Sequence, residues 1–276
     1  MRLSAKNKIC IIIGDPVDHS LSPAMHNAAY EKLKIDNEFV YLGANVKIDE
    51  VKNAVQAMRS LQLRGLTCTM PHKIEVMRYL DKIDPVAKKI GAVNTVVNVE
   101  GVLIGYNTDW LGVVIPLEKI TSLKNKKVAV LGAGGAARAI LYGVLEKKAK
   151  VTIFNRTLGK AQELAKEFHC EVANLDDISE IKNFHIIINA TAMGMKPLEN
   201  ESPLQENVLS DKQIVFDIVY IPYETKLLKQ AKKKGAEIIR GIEMLLYQGV
   251  AQFKLYTNRK APVEVMRKIL VDHQKK

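Results

Sequence analysis

The sequence predicts an α/β protein of two domains. Short apolar runs alternate with stretches of helical period, which is the pattern of parallel α/β architecture. The alternation occurs twice, with a second series starting near Lys124 at a strand that enters a glycine turn. The 276 residues are long for one domain and sufficient for two.

The first series opens with KICIIIG (8–14), read as a buried strand. Its apolar run, Ile9 to Ile13, is too short to span a membrane, and Asp15 and Pro16 end it without a cleavage signal. A cytoplasmic protein with no membrane partner is expected. PAMHNAAYEKLK (23–34) reads as a helix with Ser22 as N-cap and Pro23 as its first residue. EFVYLGA (38–44) is a strand, DEVKNAVQAMRSL (49–61) a helix and RGLTCT (64–69) a short strand. PHKIEVMRYL (71–80) reads as a helix opened by proline. VNTVVNVEGVLIGYN (93–107) is a hairpin turning at Glu100-Gly101.

In the second series KKVAVLG (126–132) is a strand, AARAILYGVLEKK (136–148) a helix, KVTIFN (150–155) a strand and LGKAQELAKEFH (158–169) a helix. Strands follow at 184–190 and 213–220. TKLLKQAKKKG (225–235) is a helix stopped by glycine, AEIIRG (236–241) the last strand, and helices over 242–256 and 262–273 close the chain. The seam falls near 107–112, dividing the chain into 1–107 and 108–241.

Composition excludes several classes. Hydrophobic residues are 47% and charged residues 26%, as in ordinary globular proteins rather than disordered ones. Three cysteines without a CxxC argue against a disulfide framework or a thiolate zinc site, and no HExxH occurs, so no metal is expected. The net charge is +11, but the lysines are scattered and aromatics are only 6%, which speaks against nucleic acid. A basic surface that mildly attracts anionic small molecules is the expectation.

Gly132-Ala133-Gly134-Gly135-Ala136-Ala137 follows a strand and opens a helix. It fits GxGxxG/A, whose glycines permit a tight turn and whose helix N-terminus offers free N–H groups to a pyrophosphate. The next strand ends in Asn155-Arg156-Thr157, with Lys160 just beyond. No acid is present for a ribose 2′-hydroxyl, and two cations are available for a 2′-phosphate, so NADP is favoured over NAD. Loops at the carboxyl ends of later strands, Asn189-Ala190-Thr191-Ala192-Met193-Gly194 and Asp217-Ile218-Val219-Tyr220, should face the same ligand.

Three polar clusters in the first series are candidates for the substrate. Ser20 and Ser22, beside a helix N-terminus, suit a carboxylate, although Ser22 reads equally as a plain cap. Lys73, in the Thr69-Met70-Pro71-His72-Lys73 segment, falls in the first turn of the expected helix, where the dipole disfavours a cation. It is either a proton-transfer group or an exposed lysine. Asn94-Thr95 and Asn107-Thr108-Asp109 suit a polyhydroxylated ligand, with Asp109 also readable as a helix N-cap.

Taken together and in this order, GDPVDHSLSPAMHN, TMPHK, GAVNT, YNTDWLG, LGAGGAARA, NRT, NATAMGM, DIVYIPYET and GIEMLLYQGVAQF resemble the shikimate dehydrogenase family. The resemblance runs from Gly14 to Phe253. It implies reversible reduction of 3-dehydroshikimate to shikimate with NADPH, in aromatic amino-acid biosynthesis. It implies a substrate domain completed by the C-terminal helices (242–276), a Rossmann-like NADP domain, and an active site in the cleft between them. Ser20 and Ser22 would hold the substrate carboxylate. Lys73 and Asp109 would be the catalytic pair, with Asp109 orienting Lys73. Thr69, Asn94 and Gln248 would bind ring hydroxyls, and Tyr220 would line the site near the carboxylate. Gly132, Ala133, Gly134, Gly135, Ala136, Asn155, Arg156, Thr157, Lys160, Thr191, Ala192, Met193, Ile218 and Gly241 would hold the cofactor.

Two departures stand out. Family members often read Asn-Val-Thr where this chain has Thr67-Cys68-Thr69, so one supporting hydrogen bond would be missing or replaced by water. Cys68 would be either a reactive thiol or a buried filler. Lys160 stands where the family commonly has Arg, keeping the charge without the fork of donors. Alternatives are a quinate or dual quinate/shikimate dehydrogenase and a non-catalytic NADP-binding regulator; the presence of Lys73 with Asp109 weighs against the latter. The assembly state is open, a homodimer included.

Overall fold

The computed structural model describes residues 3–176 and 178–274. The chain divides into two compact units, Met1–Thr108 with Gln248–Lys276, and Asp109–Tyr247. The breaks fall after Thr108 and Tyr247, one and six residues beyond the boundaries anticipated at 107 and 241. No helix among the described residues is long and apolar enough to cross a membrane.

The elements, in chain order, begin with β1 (Lys8–Gly14), α1 (Ser22–Lys32), β2 (Phe39–Asn45), α2 (Val51–Ser60), β3 (Gly65–Cys68), β4 (Lys82–Ile83), α3 (Pro85–Ile90), β5 (Thr95–Val99) and β6 (Val102–Tyr106). Next come α4 (Asp109–Glu118), β7 (Lys127–Leu131), α5 (Gly135–Glu146), β8 (Lys150–Asn155), α6 (Leu158–Phe168), β9 (Glu171–Asn174), β10 (Ile186–Asn189), β11 (Ile214–Asp217), α7 (Lys226–Lys233) and β12 (Glu237–Ile239). The last are α8 (Gly241–Thr257) and α9 (Val263–His273).

The first unit is built on a six-stranded sheet in the order β2-β1-β3-β5-β6-β4. β2, β1 and β3 run parallel, while β5 opposes both β3 and β6. The hairpin turn is as anticipated: Glu100 and Gly101 both take positive φ, 53° and 89°, the backbone that matches the twist of a two-residue hairpin. One face of the sheet packs Ile13, Leu66, Val96 and Leu103 on Val51, Val55 and Met58 of α2. Elsewhere in the unit an aromatic group gathers His26, Tyr30, Tyr41, Phe253 and Tyr256, with His26 stacked 4.4 Å from Tyr41.

That aromatic group explains why the chain's end returns to its beginning. The Arg64 guanidinium donates to the carbonyls of Tyr256 (2.8 Å), Leu255 (3.2 Å) and Asn98 (2.7 Å). A cation at the last turn of α8 satisfies carbonyls that have no partner within the helix. Gly65 makes room: a Cβ there would lie 2.3 Å from the Tyr256 ring. α9 packs on α1.

The second unit holds a parallel sheet in the order β12-β11-β10-β7-β8-β9. Counted by strand within the unit and read from its β9 edge, this is 3-2-1-4-5-6, the doubly wound order that reverses between its first and fourth strands. Both faces are covered. Val128, Val130, Ile186 and Ile188 pack with Ile140, Leu141 and Val144 of α5, while Ala129, Leu131 and Ile187 pack with Leu227, Leu228 and Ala231 of α7. Strands buried on both faces read as unbroken apolar runs, which is why these were legible.

Several elements differ from the sequence reading. α1 starts at Ser22 rather than being capped by it, with Leu21 in the cap position. The expected helix over 71–80 is a run of turns followed by a 3-10 helix at Glu75–Tyr79. The reason is tertiary: the Lys73 carbonyl accepts from Val93 N–H at 2.8 Å, and Met77 N–H bonds Ile74 instead. β4 and α3 escaped the sequence reading because each is short. α3 nonetheless carries its signals: Asp84 Oδ1 accepts from Val86 N–H at 2.9 Å, Pro85 opens the helix, and Gly91 closes it at φ 69°. β9 was missed as a polar edge strand. β11 ends at Asp217, so Ile218 and Tyr220 lie on a loop rather than a strand.

Candidate functional site

In the first unit the topology brings the predicted substrate groups to one edge. The loop after β1 carries Ser20 and leads to Ser22. The segment after β3 carries Thr69 and Lys73. Because β5 runs against β3, its approach residue Asn94 lies at the same edge, where its carbonyl accepts from Cys68 N–H at 2.8 Å. The end of β6 brings Asn107 and Thr108 there as well.

Local bonds fix this edge. Ser20 Oγ accepts from Ser22 N–H at 3.3 Å, so Ser20 supports the entry to α1, the role anticipated for Ser22. Ser22 is the first residue of α1 and is buried. Thr69 N–H donates to the Ile13 carbonyl at 3.0 Å, and its methyl lies so close to Gly14 that a Cβ there would approach to 2.4 Å. Lys73 is half-buried and sits in the turn, so the helix-dipole reason for singling it out lapses. Asn94 is buried and its amide is held on several sides: Oδ1 accepts from Thr95 Oγ1 (2.8 Å) and Thr108 N–H (2.8 Å), and Nδ2 donates to Thr108 Oγ1 (2.9 Å). Asp109 is buried as the first residue of α4, with its carboxyl in the acidic position favoured there, and is not the residue before the helix. Gln248, on α8, is buried too.

Thr67 departs from the family pattern without leaving a gap. Its hydroxyl accepts from Tyr41 Oη at 2.6 Å and meets Tyr256 Oη at 2.9 Å, so it is fully partnered within the core. Cys68 is 1% exposed, and burial pushes its thiol up to about 12, despite the lowering effect of Lys73. It is a filler, not a reactive thiol.

In the second unit the glycine turn lies between β7 and α5, next to the point where strand order reverses. Gly132 takes φ 103°, which a side chain rarely adopts, and its N–H donates to the Phe154 carbonyl at 2.7 Å. Nothing lies within 4 Å of where Cβ atoms on Gly134 and Gly135 would be. No side chain caps α5. An open cradle over an uncapped helix start fits a pyrophosphate. Ala133 and Ala136 flank it, half-buried.

Asn155 closes β8, its Nδ2 donating to the Thr157 carbonyl at 2.7 Å. Arg156, Thr157 and Lys160 are exposed at the start of α6, and neither cation pairs with a carboxylate among the described residues. The loop after β10 is tied to its neighbour through buried side chains. Asn189 Oδ1 accepts from Thr191 N–H (3.0 Å) and Oγ1 (2.7 Å), and its Nδ2 donates to the Met193 carbonyl (3.1 Å) and Asp217 Oδ1 (2.9 Å). Asp217 also accepts from Val219 N–H (3.0 Å) and Thr225 Oγ1 (2.6 Å). Burial raises its carboxyl to about 6 against those three hydrogen bonds, which lower it. Thus Asn189 holds Thr191 and Met193 by its side chain and Ile218 N–H by its carbonyl (3.2 Å), and Asp217 holds Val219, two supports whose roles the sequence did not reveal. Gly241 opens α8 against the Val219 carbonyl, where a Cβ would approach to 2.4 Å. Tyr220 is half-buried, its phenol pushed up to about 12 by desolvation.

Known proteins share both units. Family models match residues 12–96 (shikimate dehydrogenase substrate binding domain), 116–223 (shikimate / quinate 5-dehydrogenase) and 241–271 (shikimate 5′-dehydrogenase C-terminal domain). The NADP+ shikimate dehydrogenase of Nitrosopumilus maritimus is 45% identical over 96% of this chain and 98% of its own. A shikimate dehydrogenase crystallised with NADP+ superposes with a TM-score of 0.95 at 39% identity, covering 100% of this chain and 98% of the other. The enzyme of Thermus thermophilus, in complex with NADP(H) and shikimate, gives 0.88 at 34%, over 96% and 98%. With matches of this extent running through both units, the chain belongs to the shikimate dehydrogenase family.

Proposed function

We propose that the protein catalyses the reversible, NADP-dependent reduction of 3-dehydroshikimate to shikimate, a step of aromatic amino-acid biosynthesis. The observation that carries this furthest is the convergence of Ser20, Thr69, Lys73 and Asn94 at one end of the β1, β3 and β5 strands, a set of donors suited to a carboxylate and ring hydroxyls. The family relationship supplies the reaction.

In this proposal Ser20 and Ser22 bind the carboxylate, helped by the N-terminus of α1. Thr69, Asn94 and Gln248 bind ring hydroxyls, and Tyr220 lies by the carboxylate. NADP supplies the hydride chemistry when bound. Gly132, Ala133, Gly134, Gly135 and Ala136 receive its pyrophosphate, Asn155, Arg156, Thr157 and Lys160 its adenosine 2′-phosphate end, and Thr191, Ala192, Met193, Ile218 and Gly241 complete the contacts. Lys73 Nζ donates a proton to the carbonyl oxygen as negative charge builds there, and takes it back in the reverse direction. The Asp109 carboxylate accepts from the neighbouring hydroxyl and holds the ring in register.

The test is NADPH-band absorbance with purified protein, pairing shikimate or quinate with NADP or NAD. Reduction with shikimate and NADP far above the other three pairings is expected. Faster turnover of quinate, or with NAD, moves the protein to the quinate branch; no turnover in any pairing refutes the proposal.

A further inference from the structure

We infer that Asn45 and His72 are positioning residues: both work through the end of β2, and together they fix the loop that carries Ser20 relative to the turn that carries Lys73. The inference rests on the function proposed above, in which neither residue touches the substrate.

The strand order lets β2 play this part. β1 lies between β2 and β3, and β2 runs parallel to it in a register that sets Asn45 opposite Gly14. The loop with Ser20 therefore leaves β1 between the ends of two neighbours. Val46 N–H donates to the Gly14 carbonyl at 3.0 Å, which carries the pairing one residue past the end of β2.

Asn45 holds the serine loop. Its Oδ1 accepts from Val17 N–H at 2.7 Å, and its Nδ2 donates to Asp18 Oδ1 at 2.7 Å. A backbone N–H only donates and a carboxylate accepts, so one orientation of the amide serves both. Val17 is buried, where an N–H left unserved is costly. The Val17 carbonyl in turn accepts from Ser20 N–H at 2.9 Å. Two hydrogen bonds in series thus lead from the end of β2 to Ser20.

His72 holds the lysine turn. It is buried, and its ring nitrogen Nε2 lies 2.7 Å from the Val46 carbonyl. A carbonyl only accepts, so Nε2 carries the proton of this bond. The other ring nitrogen, Nδ1, has no hydrogen-bond partner among the described residues, so the ring's polar tie is to β2. To make it, the turn after β3 reaches past the end of β1. Gly14 leaves the room, since a Cβ there would lie 2.4 Å from the Thr69 methyl and 3.3 Å from the Met70 carbonyl oxygen. That carbonyl accepts from Asp15 N–H at 3.2 Å, so the serine loop and the lysine turn also bond each other. The three segments close a circuit of hydrogen bonds, and Lys73 follows His72 directly. Carboxylate binding and proton transfer to one ring require their two holders at a fixed separation, which this circuit sets.

The experiment measures KM for shikimate, KM for NADP, kcat and melting temperature in the full chain and its variants. Turnover of shikimate by the unmodified protein comes first. Its absence refutes the proposed function and this inference with it; with turnover present, the variants judge the inference alone. Asn45 is exposed, so Asn45→Ala leaves the core intact. It is expected to raise the shikimate KM roughly three- to tenfold, with kcat and the NADP KM within about twofold. Asn45→Asp sets two carboxylates face to face and should raise the KM at least as much. Adding Asp18→Asn exchanges donor and acceptor, restores both bonds and should bring the KM back. His72→Phe keeps a ring in place, removes the tie to Val46, and should lower kcat roughly three- to tenfold with the NADP KM within about twofold. His72→Gln, whose amide nitrogen can stand where Nε2 stands, should recover kcat. A lower melting temperature with the shikimate KM and kcat unmoved would reduce both residues to structural supports and overturn the inference. So would an exchanged pair that recovers nothing, or an NADP KM that rises as much as the shikimate KM. If Asn45→Ala fails to fold, Asn45→Asp against the exchanged pair gives the same decision; if His72→Phe fails, His72→Met against His72→Gln does.

Discussion

Asp217 offers a perturbation whose size follows from the structure. Its side chain is fully buried, and burial raises its carboxyl from 3.8 to about 6. In the unfolded chain the group ionises near 3.8, so between that pH and 6 the unfolded state has lost a proton that the folded state keeps. Stability therefore falls as pH rises through this window and is constant on either side of it. A shift of about two units corresponds to ~3 kcal/mol, a large part of the stability of a typical domain. Asp217→Asn removes the titration. It also turns an amide nitrogen toward the Thr225 hydroxyl, which loses its acceptor, at a fixed cost of ~1–3 kcal/mol at every pH. Urea unfolding of both proteins at intervals from about pH 4 to 8 separates the two effects. The variant should be the less stable at about pH 4, and its deficit should shrink by ~3 kcal/mol by about pH 7. A deficit that stays flat across the window would refute the claim that Asp217 is held as a buried acid. Because Asp217 and Asn189 hold the loops that carry Ile218 and Thr191–Met193, the variant should also bind NADP more weakly at neutral pH.

Three further outcomes are expected. Lys73→Ala should lower kcat roughly a hundredfold or more while leaving the NADPH dissociation constant within about twofold, measured by turnover and fluorescence titration; equal loss of both would remove Lys73 from proton transfer. Arg156→Ala should raise the NADP KM roughly ten- to a hundredfold and leave the NAD KM nearly unchanged, as the proposed pairing of the guanidinium with the 2′-phosphate requires. Arg64→Leu leaves the carbonyls of Tyr256, Leu255 and Asn98 without their donor, which should cost ~3 kcal/mol and lower the melting temperature by several degrees in a thermal scan.

The sequence by itself determined the class of fold and most of its elements. Strands such as Ile186–Asn189, apolar on both faces, can only be central strands of a covered sheet, and the glycine turn after β7 needed only local order to be read. The motifs also pointed to Lys73, Asp109 and Arg156, because residue type and neighbouring sequence are local properties. Tertiary structure decided the rest. Whether residues 71–80 became a helix was settled by a bond from Val93, 20 positions downstream of the carbonyl it meets on Lys73. Whether Thr67 left a gap was settled by Tyr41 and Tyr256, which no spacing rule connects to it. Thr95 takes a hydrogen bond from Gln252, brought to it from the far end of the chain. Propensity and periodicity describe a residue's near neighbours in sequence, whereas a hydrogen bond in a buried core is chosen among all groups that the fold brings within reach.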